Sequence, residues 1–153
     1  MSDPALQPDK PTIRVAGLLV DDGRVLMVQQ GRDAERYWLL PGGGVEFGES
    51  LSDALRREIR EELGVRVAVA GLVAVVESIS PEPAYPKHVV HLIFAAGASP
   101  EARPEPLDVK VLGAAWLDET QLRAADVRPP IGEFLIACAR EMPTVPQYLG
   151  RRW

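Results

Sequence analysis

The sequence of 153 residues is poor in cysteine and contains only one, Cys138. A single thiol excludes an internal disulfide. Because Cys138 lies in an apolar helical pattern with Phe134 and Ile136, we interpret it as a core thiol rather than a nucleophile. The sequence also lacks an apolar run long enough to span a bilayer, and it lacks a signal-peptide pattern. We therefore expect a cytoplasmic protein without a membrane partner.

Basic residues are the minority among the charged ones, with 17 Lys and Arg against 22 Asp and Glu, so the net charge is −5. This balance argues against non-specific binding to nucleic acid or to a membrane surface. It does not argue against a nucleotide substrate, because a bound metal ion can supply local positive charge. The length and the 46% hydrophobic content are typical of one globular domain with a substantial core.

A glycine-rich loop over Gly42–Gly48 followed by a helix over Leu51–Leu63 organises the chain. Ser50 is a good N-cap, and Asp53 three residues later is placed to close a capping box. Gly64 stands where a left-handed residue ends a helix. The residues between these ends are strong helix formers and include no glycine or proline. The pattern therefore predicts a helix with well-defined ends.

The predicted helix carries its acids on its apolar side. An apolar stripe runs along one face and continues into Glu58 and Glu62, with Glu61 beside them, while the basic residues lie opposite. A solvated acidic face, which is the alternative, would place acids and bases together on the polar side. Three carboxylates this close would repel one another near apolar walls, and a divalent cation with oxygen ligands would remove that penalty. The geometry favours a metal site.

The rest of the chain reads as strands with two further helices. The predicted strands cover residues 12–20, 24–30, 37–40, 65–79, 88–96 and 109–117, and the further helices cover 118–125, capped by Asp118, and 129–142. Strands on both sides of one central helix indicate an α/β sandwich with a mixed sheet. His88 and His91 are three apart and point to opposite sheet faces, so a metal ion shared by both is not expected.

Three segments make up the predicted domain organisation. Residues 1–11 are expected to be a flexible N-terminal arm, residues 12–142 the domain, and residues 143–153 a C-terminal tail that packs on the body or on a second subunit. A homodimer is therefore left open.

The glycine loop and acidic helix together resemble the Nudix box. The box is a Gly, five residues, Glu, seven residues, and then Arg-Glu-aliphatic-any-Glu-Glu-any-Gly-aliphatic. This sequence matches it without departure at Gly43, Glu49, Arg57, Glu58, Ile59, Glu61, Glu62, Gly64 and Val65. The resemblance implies a Nudix hydrolase domain over residues 12–142, with a mixed central sheet between helical layers.

The resemblance also implies a chemistry, which is metal-dependent cleavage of a pyrophosphate link with Mg²⁺ or Mn²⁺. By that likeness Glu58, Glu61 and Glu62 hold the metal, assisted by the carbonyl of Gly42, and Glu62 is the safest ligand. Glu58 or Glu61 is alternatively the general base. Arg57 is expected to fix the helix and loop by pairing with Glu49 or Glu61, the alternative being a direct phosphate contact. Gly43, Glu49 and Gly64 are expected to be structural members of the box.

A further acid from the loop before the last predicted strand is common in the family. The candidates here are Glu101, Glu105 and Asp108, and the sequence does not choose among them. The number of metal ions also stays open.

The substrate is less well defined than the chemistry. A proline sixteen residues past the box is associated in the family with ADP-ribose hydrolysis, and Pro81 meets that count. Trp38, before Pro-Gly-Gly, extends the resemblance and is expected to line the site or to pack in the core. Tyr85 or Tyr37 is a candidate for stacking on a base, and Arg32 for contacting a phosphate or ribose, although all three are also ordinary surface residues.

Three functions follow from these residues. The first is a pyrophosphohydrolase acting on a nucleoside diphosphate derivative, with a lean to ADP-ribose. The second is the same chemistry on a (d)NTP, as in house-cleaning enzymes. The third is a non-catalytic nucleotide-binding or regulatory domain, which the intact carboxylate set opposes.

Overall fold

The computed structural model describes residues 10–153, so the expected N-terminal arm lies outside the described residues except at positions 10 and 11. Within the described residues, the elements in chain order are β1 Thr12–Leu18, β2 Val20–Asp21, β3 Arg24–Arg32, β4 Glu35–Leu39, β5 Gly42–Gly44, α1 Leu51–Leu63, β6 Val67–Ile79, β7 His88–Ala98, β8 Gly113–Leu117, α2 Glu119–Ala124, α3 Gly132–Arg140 and β9 Gln147–Arg151. No helix among them is long and apolar enough to cross a membrane.

The larger sheet is mixed, as predicted, and has five strands in the order β5-β1-β7-β6-β9. Strand β1 runs parallel to β7 and antiparallel to β5. Strand β6 runs antiparallel to β7 and parallel to β9. The two edges of this sheet are therefore β5, which leads toward α1, and β9.

The smaller sheet is antiparallel and is built around β3, which pairs with β2, β4 and β8. Two apolar clusters join the layers. One packs α1 against the larger sheet through residues such as Val15, Leu55 and Ile59, and the other packs the α2 and α3 side through Leu122 and Leu135. The fold is an α/β sandwich with a mixed sheet.

Gly17 explains how closely α1 approaches β1. A Cβ at this position would lie 2.9 Å from the Cδ1 atom of Ile59 and 3.6 Å from that of Leu55. A side chain here would push the helix away from the sheet, because a core this dense has no room to absorb one. The close packing sets the depth at which the carboxylates of α1 meet the sheet edge.

Several element predictions need correction. Residues 109–112 are not a strand, and β8 begins at Gly113. Helix α3 begins at Gly132 rather than 129, because the helical conformation is disfavoured for a residue that precedes a proline, and Pro129 precedes Pro130. Strands β5 and β9 were not predicted. The three glycines of β5 have low strand propensity, and β9 follows two prolines, Pro143 and Pro146.

Candidate active site

Helix α1 has the predicted bounds and the predicted end residues. The Ser50 hydroxyl accepts a hydrogen bond from the Asp53 backbone N–H at 3.1 Å, and Gly64 adopts the left-handed conformation with φ of 67°. The expected second half of the capping box is replaced, because the Asp53 carboxylate accepts a hydrogen bond from Arg56 instead. These ends fix which turns of the helix reach the sheet edge.

Glu62 is a buried carboxylate, with 7% of its surface exposed. Within residues 10–153, its Oε2 atom has no hydrogen-bond partner. Burial raises the pKa of Glu62 to about 7, with Glu58 adding to the rise, while Arg14 and the Gly42 backbone oppose it. A buried acid with an unpaired oxygen is costly to the fold, and a cation beside it would relieve that cost.

Arg57 joins the glycine loop to the helix. Its Nε and Nη2 atoms donate to the two carboxylate oxygens of Glu49, at 2.8 and 2.9 Å. Its Nη1 atom donates to Glu58 at 2.9 Å and to Glu61 at 3.3 Å, and Nη2 also donates to the carbonyl of Gly44 at 3.1 Å. These bonds raise the pKa of Arg57 and lower the pKa of Glu49 to about 2. Arg57 is thus a positioning residue that holds three box carboxylates.

Strand β5 brings its backbone against the carboxylate of Glu58. A Cβ on Gly43 would lie 2.3 Å from the Cδ and Oε2 atoms of Glu58. Any residue other than glycine at position 43 would therefore displace the Glu58 carboxylate. A Cβ on Gly42 would lie 2.0 Å from the carbonyl oxygen of Val15, and φ of 155° at Gly42 also disfavours a side chain. The glycines seat Glu58 at the sheet edge.

Across residues 10–153, no group of three or more His, Cys, Asp or Glu side chains converges as a ready cage for a metal ion. Arg57 accounts for this, because Glu58 and Glu61 both turn toward its guanidinium. The donor set nevertheless fits a hard cation. It consists of carboxylate oxygens, which Mg²⁺ and Mn²⁺ prefer, and the Oε2 atom of Glu62 has no other partner.

A cavity of about 770 Å³ lies between the larger sheet and the smaller sheet. Glu58, Glu62 and the three glycines of β5 form part of its wall. The lining also includes seven other charged residues and two aromatic ones, which are Arg14, Lys87, Asp108, Lys110, Asp126, Arg128, Arg152, Tyr37 and Trp153. The cavity thus joins an acidic end to several cations, which suits an anionic ligand that carries a metal ion.

Sequence reasoning missed Arg14 on the cavity floor. The Nη2 atom of Arg14 donates to the carbonyl of Leu40 at 2.8 Å. Burial lowers the pKa of Arg14, and Glu62 and Glu58 oppose that change. A single arginine in the apolar run of β1 was the available signal, because a charged residue in such a run needs a partner.

His91 lies beside Arg14 in the parallel register of β1 and β7. Its Nε2 atom and the Ser78 hydroxyl are 3.0 Å apart, and its Nδ1 atom is buried with no hydrogen-bond partner in the part of the chain that the structure describes. Burial lowers the pKa of His91 to about 4, with Arg14 and Lys87 contributing, so the ring is neutral at pH 7. Of the two histidines, His91 lines the cavity and His88 does not.

Of the four residues expected to bind substrate, Tyr37 lines the cavity, whereas Trp38, Arg32 and Tyr85 do not. Trp38 packs against the core cluster on the α2 and α3 side and does not line the cavity, because its strand neighbour Tyr37 takes the cavity-facing side of β4. Arg128 lies over the Tyr37 ring, with its Cζ atom 4.4 Å from the centroid. Arg32 and Tyr85 are exposed and do not border the cavity.

The loop before β8 brings Asp108 to the cavity. The backbone N–H groups of Glu105 and Leu107 donate to the carbonyls of Leu63 and Glu62, which ties the loop to the end of α1. Asp108 lines the cavity and contributes to the raised pKa of Glu62. Glu101 is instead bonded to Ser99. Among the three acids left open, Asp108 is the one that the fold places beside the box.

Comparison with known proteins points to the same family as the box motif in the sequence. A family model described as the NUDIX domain matches residues 9–138. The chain belongs to the Nudix family. It is 32% identical over 132 residues to a MutT-like protein of Streptomyces ambofaciens, covering 83% of this chain and 79% of that one.

Two further relatives of this Nudix protein match over shorter stretches. An ADP-ribose pyrophosphatase of Methanocaldococcus jannaschii is 33% identical over 85 residues, covering 55% of this chain and 49% of that one. A nucleoside triphosphatase NudI of Escherichia fergusonii is 51% identical over 53 residues, covering 33% and 38%. The aligned regions thus span half or less of these two relatives.

Solved structures support the fold. The crystal structure of a MutT Nudix hydrolase from Burkholderia pseudomallei superposes with a TM-score of 0.70 at 26% identity, covering 84% of this chain and 98% of that one. Together the matches make this protein a Nudix hydrolase that acts on pyrophosphate bonds. Nudix hydrolases generally use divalent metal ions.

Proposed function

We propose that this Nudix hydrolase cleaves the diphosphate link of a nucleoside diphosphate derivative, with ADP-ribose as the leading candidate, and that it requires Mg²⁺ or Mn²⁺. The observation that carries the proposal is Glu62, a buried carboxylate with an unpaired oxygen at the wall of a cation-lined cavity. A purely structural carboxylate at this depth would be expected to have a partner for each oxygen.

The metal would be held by Glu62 together with Glu58 and Glu61, assisted by the carbonyl of Gly42. When bound, such an ion neutralises charge on the phosphate oxygens and lowers the pKa of a water molecule. Glu62 is the first of these ligands because its Oε2 atom is unpaired, whereas Glu58 and Glu61 are shared with Arg57. The number of ions is left open.

The other residues of the cavity bind and orient the substrate. Arg14, Lys87 and Lys110 offer positive charge along the wall, which attracts the negative charge of a diphosphate. Arg57 keeps Glu58 and Glu61 in place through its hydrogen bonds. The general base is Glu58 or Glu61, and Asp108 is the candidate for an additional acid because it also borders the cavity.

Two observations favour ADP-ribose or a related compound. The M. jannaschii relative is described as an ADP-ribose pyrophosphatase, and Pro81 stands sixteen residues past the box. A (d)NTP is the second candidate, supported by the higher identity to the nucleoside triphosphatase NudI over a shorter stretch. A non-catalytic role is disfavoured by the intact carboxylate set.

Product analysis separates these candidates. The wild-type protein and Glu62→Gln would be incubated with ADP-ribose, other nucleoside diphosphate derivatives and the (d)NTPs, with and without Mg²⁺ or Mn²⁺. We expect AMP plus a sugar phosphate from ADP-ribose, and no turnover by the folded Gln variant. Nucleoside monophosphate plus pyrophosphate would support the second candidate instead. Glu141→Gln, on the exposed end of α3, is the matched control and should keep full activity.

The panel also contains the outcomes that oppose the proposal. A fully active Glu62→Gln protein would contradict the ligand assignment. Turnover of ADP-ribose that is equally fast in EDTA would contradict the requirement for a metal ion. Absence of metal-dependent turnover on every compound would support a non-catalytic domain.

A further inference from the structure

The two residues after β9, Arg152 and Trp153, line the far end of the cavity. Strand β9 pairs in parallel with β6, from Ala74 opposite Gln147 to Glu77 opposite Arg151. The backbone N–H of Arg152 donates to the carbonyl of Glu77 at 2.8 Å, and its Nε atom donates to the carbonyl of Leu149 at 3.1 Å. These bonds hold Arg152 against the sheet, and Trp153 follows directly after it.

This wall lies outside the part of the chain that the family model matches, which is residues 9–138. The carboxylates stand at the β5 edge of the larger sheet, and β9 is the opposite edge. Four strand spacings separate the two edges, which corresponds to about 19 Å. A diphosphate group fills only a small part of that span, so the far end is available to another part of the substrate.

The chemistry of the far end suits a planar ring. Trp153 keeps 58% of its surface exposed although it lines the cavity. Arg128 already lies over the Tyr37 ring. The Arg128 guanidinium forms ion pairs with Glu35 and Asp126, each with an N···O distance of 2.8 Å. Any nucleobase can stack on an aromatic side chain, because every base has a π face. Trp153 is thus a largely exposed aromatic residue that borders the cavity, and its indole is a candidate stacking surface.

We propose that Trp153 is the stacking surface for the nucleobase of the substrate, so that the segment following the family-model region determines the affinity for nucleotides over base-free phosphates. The inference rests on the proposed function, because it takes the substrate to be a nucleotide derivative. Stacking would set how tightly the base is held without choosing among the bases. Trp153 is therefore proposed as a specificity-determining residue and not as a catalytic one.

Calorimetric binding to the full chain in EDTA tests this subsite apart from turnover. The probes are AMP and ribose 5-phosphate, which carries a phosphate and no base. The variants are Trp153→Ala, Trp153→Leu, which keeps apolar bulk without a ring, and Trp153→Phe. Tyr148→Ala is the matched control, because Tyr148 is an exposed aromatic of β9 that bonds to Glu77 and does not line the cavity.

We expect AMP affinity to fall about 5- to 100-fold in the Ala and Leu variants, in proportion to the loss of one stacked base. The Phe variant should recover most of the affinity, and Tyr148→Ala should match the wild type. Ribose 5-phosphate should bind equally to all of them. Thermal melts of each variant report folding, and the Leu variant serves if the Ala variant does not fold.

Three results would overturn the inference. They are AMP affinity unchanged in Trp153→Leu, an equal loss in Tyr148→Ala, and a wild-type protein that does not bind AMP. Failure of the proposed reaction gives a different pattern, which is absence of metal-dependent turnover while AMP binding still depends on Trp153. If turnover depends on Glu62 but AMP binding does not depend on Trp153, the proposed reaction stands and the proposed base-binding subsite is wrong.

Discussion

Gly43 shows how one missing side chain fixes a carboxylate. The space that a Cβ would need at Gly43 is taken by the Glu58 carboxylate, 2.3 Å away, whereas a Cβ at Gly44 would meet nothing within 4 Å. Both glycines belong to β5 and are adjacent in sequence. The two positions therefore separate a steric effect on Glu58 from a general effect of adding alanine to this strand.

We expect Gly43→Ala to lower the rate of hydrolysis about 10- to 100-fold, because displacing a reacting or metal-holding group by about an ångström has effects of that size. The far end of a glutamate side chain can move, so the loss of stability should be small. Gly44→Ala should show a clearly smaller loss of rate. Steady-state kinetics with urea unfolding measure both, and equal losses in the two variants would contradict the steric explanation.

We expect His91 to make the stability of the protein depend on pH. Its pKa is about 4 in the fold against 6.5 for an ordinary histidine, so the unfolded chain binds the proton more tightly. Stability from the neutral ring is therefore complete above pH 6.5 and is lost as the pH falls toward 4.

Replacing His91 with leucine should remove this part of the pH dependence. Between pH 6.5 and pH 4, we expect the wild type to lose on the order of 2–3 kcal/mol more unfolding free energy than His91→Leu does. His88→Leu is the comparison, since it removes the other histidine of β7. Urea unfolding at a series of pH values gives the slopes, and parallel curves for wild type and His91→Leu would refute the assignment.

At the scale of elements, Arg57 connects the glycine loop and α1 through bonds to Glu49, Glu58, Glu61 and Gly44. Arg56, its neighbour, is exposed, and its one ion pair among the described residues is with Asp53 three residues earlier. Exposed pairs of that kind contribute little to stability.

Arg57→Lys should lose the paired hydrogen bonds to Glu49, because a lysine ammonium cannot present the planar fork of a guanidinium. We expect a loss of about 1–2 kcal/mol of unfolding free energy and weaker Mn²⁺ binding as Glu58 and Glu61 become less ordered. Arg56→Lys should stay within about 0.5 kcal/mol of the wild type. Chemical denaturation and Mn²⁺ titration test the pair, and similar effects at both positions would speak against a positioning role for Arg57.

Elements with strong local signals could be predicted from the sequence. Helix α1 has the bounds that Ser50 and Gly64 indicate, and Asp118 caps α2 as expected, with Gln121 completing a capping box. Strand β5 could not be predicted, because its glycines pair through the backbone with β1 and leave no side-chain pattern. Strand β9 depends on a partner, β6, that lies about 70 residues earlier, and local propensity contains no such information.

At the scale of the whole molecule, the box supplies the residues at one end of the cavity, and strands distant in sequence supply the residues of the rest. The spacing of the box residues was sufficient to predict the carboxylates, since they lie within two turns of one helix. Arg14, Lys87, His91 and Arg152 come from β1, the loop before β7, β7 itself and the residue after β9, and they meet only because of the strand order. A strand order of this kind cannot be obtained from local spacing.

The central claim is that Glu62 is buried to hold a metal ion, and stability in the presence of Mn²⁺ tests it most directly. Ligand bound only by the folded state raises the unfolding free energy by about 2.7 kcal/mol at a concentration 100 times the Kd. We predict this gain for the wild type and its absence for Glu62→Gln, which should be at least as stable as the wild type in EDTA at pH 8. An equal Mn²⁺-dependent gain in Glu62→Gln would contradict the account.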